Sequence, residues 1–246
     1  MPEIKSNKTF DIPVAKAPIA RASASGTESP VENISMYSQD YFSKITTLVN
    51  HAANHGESLQ SIIKLVNKET KKAFLGYGSA IYLLSEDKRY LELQSINLPH
   101  ELIHKIEQLI GIKMPMPKVR FSDDSLHLKI LKKGKPQLID DLGTIIELTA
   151  EHTDNKLIKK LIPRIIELRR SFSIIYAPFI SDGEIIGMIS IGRDTPYSTL
   201  DLEQFGAIAE QLTSIIIRKQ AEEQIKKEGD LAQKYLDTAG VMFIAL

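Results

Sequence analysis

A tight hairpin between two apolar segments is the feature of this sequence that most restricts its fold. The segments are residues 174–180 and 185–191, and they are separated by the polar residues 181–184. Asp182 and Gly183 at the centre of this link supply the positive φ that a tight antiparallel turn requires. The pattern therefore predicts two neighbouring antiparallel strands near the C-terminal third of the chain.

A second strand pair precedes it. Residues 80–84 and 90–96 are apolar or alternating, and the polar residues 85–88 lie between them. Helical spacings of three and four flank both pairs, over residues 41–52, 59–70, 99–110 and 144–170 (with an interruption at Pro163), and again from residue 198 onwards. We therefore predict an α+β fold, with a central antiparallel sheet of about five to six strands flanked by helices and a long C-terminal helix.

Composition excludes several kinds of chemistry. Thirty-one basic residues balance thirty-one acidic ones, so no overall field steers the chain onto nucleic acid or an anionic membrane. The absence of cysteine excludes thiol nucleophiles, disulfides, thiolate metal sites and a thiol-linked chromophore. No apolar run is long enough to cross a membrane, and the first residues do not form a secretory signal. We expect a cytoplasmic protein whose cofactor, if it has one, is unknown.

The order of several motifs indicates a family. Pro178, the turn at Asp182, Gly187 within a strand and the helix cap Ser198 follow one another at fixed spacing, and residues 128–142 add a basic-Gly-Lys-Pro segment before a strand. This order resembles a GAF domain over roughly residues 38–218. We assign residues 36–218 to the GAF domain, and residues 1–35, which are rich in Pro, Ser and Ala, to a disordered tail.

The resemblance implies a ligand- or redox-sensing input domain of a signalling protein, most often a histidine kinase, or else a cyclase. No kinase or cyclase motif lies within these residues, and the chain itself is expected not to be an enzyme. The family places a ligand between the sheet and the irregular middle segment. The candidate ligand-binding residues are Ser95, Asn97, Asp141 and Tyr176. Ordinary turn or cap chemistry is the alternative for each, and Asp141 could simply cap the helix after it.

His100 and His104 form a literal H-E-x-x-H motif with Glu101. On a helix this spacing can chelate zinc while the glutamate activates water, so a zinc hydrolase is an alternative function. The apolar stripe of the same helix comprises Leu102, Ile103, Ile106, Leu109 and Ile110, which puts both histidines towards the polar side. We therefore favour a solvated helix face without catalytic or metal-binding residues.

The last helix carries a second signal. Ile208, Leu212, Ile215 and Ile225 recur near a spacing of 3.5, which predicts a dimer interface, and residues 219–236 are predicted to form a coiled-coil connector. The alternatives are a single solvated helix or a purely structural dimerisation module.

Residues 237–246 resemble the first helix turn and opening strand of a PAS domain, with the strand at 241–246. The expected partners are a second copy of the chain and a PAS or kinase-type output domain in the same polypeptide.

Overall fold

The computed structural model of the chain describes residues 43–114, 117–170 and 172–244, with side chains as far as residue 238. The predicted disordered tail, residues 1–35, lies outside the described residues. The helices are α1 (43–54), α2 (Leu59–Ala73), α3 (His100–Ile110), α4 (Leu126–Leu131), α5 (Leu142–Ala150), α6 (Lys156–Arg169) and α7 (Thr199–Ile244). The strands are β1 (Gly78–Leu84), β2 (Tyr90–Asn97), β3 (Lys118–Arg120), β4 (Gln137–Ile139), β5 (Ser173–Ser181) and β6 (Glu184–Arg193).

The six strands form one sheet in the order β3-β2-β1-β6-β5-β4, and all neighbours are antiparallel. Both predicted hairpins are present. Strands β5 and β6 pair over their whole length, from Ser181 opposite Glu184 to Ser173 opposite Arg193. Asp182 and Gly183 have φ values of 51° and 80°, which is the backbone conformation that a tight turn between twisted strands needs. The predicted α+β fold is confirmed.

Helices α1, α2 and α7 cover one face of the sheet. Their core includes the fully buried Ile81, Phe179 and Phe205. Gly187 lies in the middle of β6, where a Cβ atom would collide with the carbonyl oxygen of Tyr82 and come within 2.8 Å of the Phe179 ring. The glycine therefore permits β1 and β6 to approach each other at this point, as a glycine within a strand can.

Helices α3, α4, α5 and α6 cover the opposite face, where Tyr82, Leu148 and Met188 belong to a second core. The predicted interruption at Pro163 is wrong, because α6 runs through this proline without ending. The break lies at residues 151–155 instead. Asn155 ends it by capping α6, where its side chain accepts hydrogen bonds from the amides of Leu157 and Ile158.

Helix α7 extends from the core into solvent. Its first half packs on the sheet, and from residue 220 to residue 238 every side chain is exposed. Residues 241–244 continue this helix, so the predicted strand at 241–246 is wrong over those residues, and residues 245 and 246 lie outside the described part. A continued helix satisfies its backbone groups within the segment, whereas a strand would need a neighbour. Across the described ranges no helix is both long and apolar enough to span a membrane.

Candidate functional site

A cavity of about 140 Å³ lies between the sheet and helices α3, α5 and α6. Its floor is built from small residues on the central strands, and these leave room above the sheet. Ser190 of β6 stands between Ala80 of β1 and Tyr176 of β5 in the strand register. Gly78 and Gly192 extend the same floor. A cavity of this volume is of the size that accepts a benzene ring in an engineered core.

The walls of the cavity divide into an apolar and a polar part. The apolar part comes mainly from α3 and α6 and comprises Ile106, Ile110, Ile158, Ile162 and Ile165. The polar part includes Tyr82, Thr149, His152, Arg169, Tyr176 and Ser190. Few polar groups in a mainly hydrophobic pocket are typical of ligand sites, because the apolar surface gives affinity and the polar groups fix orientation.

Three rings of the polar wall and that of His127 behind them form a contiguous cluster. The ring of His152 lies 5.8 Å from that of Tyr82 and 5.0 Å from that of His127, measured between centroids. His127 in turn lies 5.4 Å from Tyr176. All three contacts are edge-to-face, the geometry that aromatic pairs prefer. The cluster links β1 and β5 to α4 and to the residues after α5, so it holds the polar wall together.

Glu151 orients this cluster. Its carboxylate accepts a hydrogen bond from His127 Nδ1 at 2.7 Å, another from the Ser125 hydroxyl at 2.8 Å, and others from backbone amides at the start of α4. Burial raises the pKa of Glu151, but these hydrogen bonds outweigh it and bring the pKa to about 2. The carboxylate is thus charged at neutral pH and fixes the ring of His127, whose Nε2 is buried without a hydrogen-bond partner among the described residues.

His152 is held as a neutral acceptor. Its Nδ1 donates to the carbonyl of Leu148 at 3.0 Å, which leaves Nε2 with a lone pair. Burial, together with the neighbouring His127 and Arg169, lowers the pKa of His152 to about 3. Burial raises the pKa of Tyr176 to about 12 and that of Tyr82 further. At neutral pH the wall therefore offers two phenolic hydroxyls, one imidazole acceptor and the Arg169 guanidinium.

Only one of the four predicted ligand-binding residues lies in the cavity. Tyr176 does so, whereas Ser95 and Asn97 point to the opposite face of the sheet. There Ser95 accepts a hydrogen bond from Asn67 at 2.8 Å, and the Lys71 amine lies 3.5 Å from Asn97. Side chains alternate along a strand, so it is Ile96, between them, that faces the cavity.

Asp141 is a helix cap, as the alternative interpretation held. Its carboxylate accepts hydrogen bonds from the Thr144 amide at 2.7 Å and from the Thr144 hydroxyl at 2.8 Å, at the start of α5. These hydrogen bonds lower the pKa of Asp141. The residue therefore stabilises α5, and it does not line the cavity.

His100 and His104 lie on the exposed side of α3, as the apolar stripe predicted. His104 Nε2 contacts the side-chain nitrogen of Gln108 at 3.0 Å. Within the parts of the chain that the structure describes, no three His, Cys, Asp or Glu side chains are grouped to hold a metal ion. The geometry gives the zinc alternative no support.

The predicted dimer interface is wrong for three of its four residues. Ile208, Leu212 and Ile215 are at most 5% exposed and belong to the core between α7 and the sheet. They cannot contact a second copy without unfolding this one. Ile225 is 70% exposed and is the member of the set that a partner can reach. The apolar spacing continues through both parts of α7, so periodicity did not distinguish core from exposed seam.

Sequence reasoning missed His127, Glu151, His152 and Arg169. Two features of the sequence could have indicated this cavity. Tyr82 stands two residues from Ala80 on the same face of a strand, and Arg169 is the last residue of a helix whose apolar stripe faces the same space. No spacing rule brings the two histidines together, because His127 lies in α4 and His152 in the break after α5, and they meet only through the fold.

The comparisons with known proteins agree with this architecture. No family model and no curated protein matches the sequence. Among solved structures, the GAF domain of a phosphoenolpyruvate-protein phosphotransferase from Acinetobacter is 13% identical, with a TM-score of 0.52 over 79% of this chain and 97% of its own. Free methionine-R-sulfoxide reductase from Neisseria meningitidis, solved with its substrate, is 16% identical, with a TM-score of 0.53 over 82% and 97%. The phycoerythrobilin-bound GAF domain of a cyanobacterial phytochrome is 12% identical, with a TM-score of 0.51 over 74% and 97%.

These likenesses concern the fold. The six-stranded antiparallel sheet, the flanking helices and the long C-terminal helix make this a GAF fold. The resemblance inferred from the sequence motifs is confirmed at that level.

Proposed function

We propose that this chain is a sensory input domain that binds a small molecule in the cavity and transmits its presence through α7. The observation that carries the proposal is the cavity itself, an apolar space of about 140 Å³ with hydroxyl, imidazole and guanidinium groups on one wall. The two ligand-bound neighbours, one with its substrate and one with a bilin, support a binding role for this fold. Because His152 is neutral and both tyrosines keep their protons, the wall supplies hydrogen-bond donors and an acceptor, and we assign it to ligand recognition.

A series of contacts links the cavity to α7. Residues 190–192 of β6 line the cavity, and Arg193 follows at once. Its guanidinium forms a buried ion pair with Asp201 of α7 at 3.0 Å and donates to the carbonyls of Phe74 at 3.2 Å and Pro196 at 2.6 Å. The same guanidinium lies 3.9 Å above the Tyr197 ring. A shift of β6 on ligand binding would therefore be passed to the first turn of α7.

In this proposal the exposed half of α7 transmits the signal to other parts of the protein. We propose that two copies pair along it, through Ile225 and through Leu236, which lies about three turns further along the same face of the helix, and that it continues into an output domain. A PAS domain followed by a histidine kinase is the arrangement we favour, and a purely structural dimerisation module is the alternative. Both residues are more than 65% exposed, which in a long isolated helix favours burial against a partner.

Native mass spectrometry tests the binding role. The wild-type chain, incubated with a metabolite extract of its host cells and desalted, is expected to retain a small molecule. Ala80→Leu places a larger side chain on the cavity floor and should abolish retention, whereas Ala221→Leu on the exposed part of α7 should not. A wild-type chain that retains nothing, or equal retention by both variants, would contradict the proposal.

A further inference from the structure

We propose that the cavity selects a small carboxylic acid of about the size of a hydroxybenzoate, with its carboxylate beside Arg169 and its hydroxyl beside His152. This inference rests on the proposed binding function and names the ligand class. The volume of the cavity, the separation of its apolar and polar walls and the hydrogen-bonding character of each polar group all favour such a ligand.

The volume limits the body of the ligand. About 140 Å³ accommodates one six-membered ring with small substituents. Isoleucines of α3 and α6 face this space from above. A flat apolar ring fits between these side chains and the small residues of the floor, and it loses little solvation on entry.

Charge sets the first polar requirement. Arg169 is the charged side chain among the described residues that line the cavity. It lies at the end of α6 and is half-buried, where water screens its charge less than at the surface. A guanidinium binds carboxylates through paired hydrogen bonds. Tyr82 and Tyr176 line the same cavity as Arg169, and burial raises the pKa of both hydroxyls, so each keeps a proton that it can donate to a ligand.

Neutral His152 sets the second requirement. Its Nδ1 is committed to the Leu148 carbonyl, so Nε2 can only accept a hydrogen bond. A ligand must therefore present a donor at this point, such as a hydroxyl group. A ligand without a donor there would exclude water from Nε2 and leave this acceptor without a partner, which is costly. An acid without a donor should bind less tightly than one that has it.

Isothermal titration calorimetry with three compounds tests the inference. The wild-type chain should bind 4-hydroxybenzoate, and it should bind the neutral 4-hydroxybenzyl alcohol at least about tenfold more weakly, since hydrogen bonds to charged groups contribute roughly this much. Benzoate, which lacks the hydroxyl donor, should also be weaker than 4-hydroxybenzoate. Ala80→Leu should remove binding of all three compounds, which would place the binding in the cavity.

Variants of Arg169 identify the charge that selects the acid. Arg169→Gln should remove the preference for the acid over the alcohol, and Arg169→Lys should retain most of it; circular dichroism checks that both variants are folded. Equal affinity for acid and alcohol in the wild type, or no binding of 4-hydroxybenzoate at millimolar concentration, would overturn the inference. Retention of a neutral molecule in native mass spectrometry would overturn it too, while the proposed binding function would stand.

Discussion

At the scale of single residues, the polar wall depends on side chains whose charge states differ from those in water. His152 is neutral because burial disfavours its protonated form, and Glu151 is charged because it accepts several hydrogen bonds. None of this could be predicted from the sequence, in which both residues stand in an ordinary polar break between helices. Tyr176 could be predicted, because the apolar strand around it identifies it as buried in the sheet.

The free energy of unfolding should fall as the pH is lowered from 7 to 5. The pKa of His152 is about 3 in the folded chain and near 6.5 in the unfolded chain, so below about pH 6.5 the unfolded state binds the additional proton. The loss attributable to this histidine should be on the order of 1–2 kcal/mol over that window. Below about pH 4.5 the protonation of Glu151 in the unfolded state adds a further loss.

Urea unfolding at several pH values measures this effect. His152→Asn keeps a side-chain donor for the Leu148 carbonyl but cannot be protonated in this range, so its stability should change less between pH 7 and pH 5. Parallel pH profiles for the wild type and this variant would show that His152 is not held neutral.

At the scale of elements, the hairpins and helix caps were predictable and the assignment of faces was not. Asp182 and Gly183 determine a turn through their local backbone conformation alone, so the turn could be predicted from these two residue types. Ser95 and Asn97 were placed on the wrong face because the side on which α2 packs depends on the whole sheet. The polar network at the start of α7 was half predicted: Ser198 was recognised as a helix cap, and the ion pair between Arg193 and Asp201 was not.

Asp201→Ala should destabilise the fold by about 3–5 kcal/mol, because it leaves the guanidinium of Arg193 buried without its carboxylate. It also removes the acceptor for the Ser198 amide at the start of α7. Chemical denaturation measures the change. Asp230→Ala, on the exposed half of the same helix, is the matched control and should stay within roughly 0.5 kcal/mol of the wild type. A similarly small effect of Asp201→Ala would mean that the ion pair between Arg193 of β6 and Asp201 of α7 contributes little to the free energy of unfolding.

At the scale of the whole molecule, α7 has two environments. As far as residue 216 its apolar side chains complete the core of one copy, and beyond residue 220 they are exposed. Periodicity predicted the helix but could not locate this change, because the same apolar spacing occurs where α7 packs on the core and where it is exposed. The predicted strand at its end failed for a related reason: high β-propensity does not decide the structure of a segment without a sheet to join.

Ile225→Asp should convert a dimer into a folded monomer, because it places a carboxylate on the exposed seam without touching the core. Thr238→Asp introduces the same group on roughly the opposite side of the helix and should leave the dimer intact. Analytical ultracentrifugation at tens of micromolar, on the order of assay concentrations, measures both. A wild-type chain that sediments as a monomer would contradict dimerisation through α7.

Hydrogen–deuterium exchange with and without bound ligand tests the coupling of cavity to output most directly. With 4-hydroxybenzoate at saturation, or with the molecule that native mass spectrometry retains, exchange should slow at the cavity elements, in residues 186–193 of β6 and in residues 199–216 of α7. Ala80→Leu should show none of these changes on addition of the same compound. Slower exchange confined to α5 and α6, with α7 unchanged, would mean that the cavity binds a ligand but does not signal through this helix.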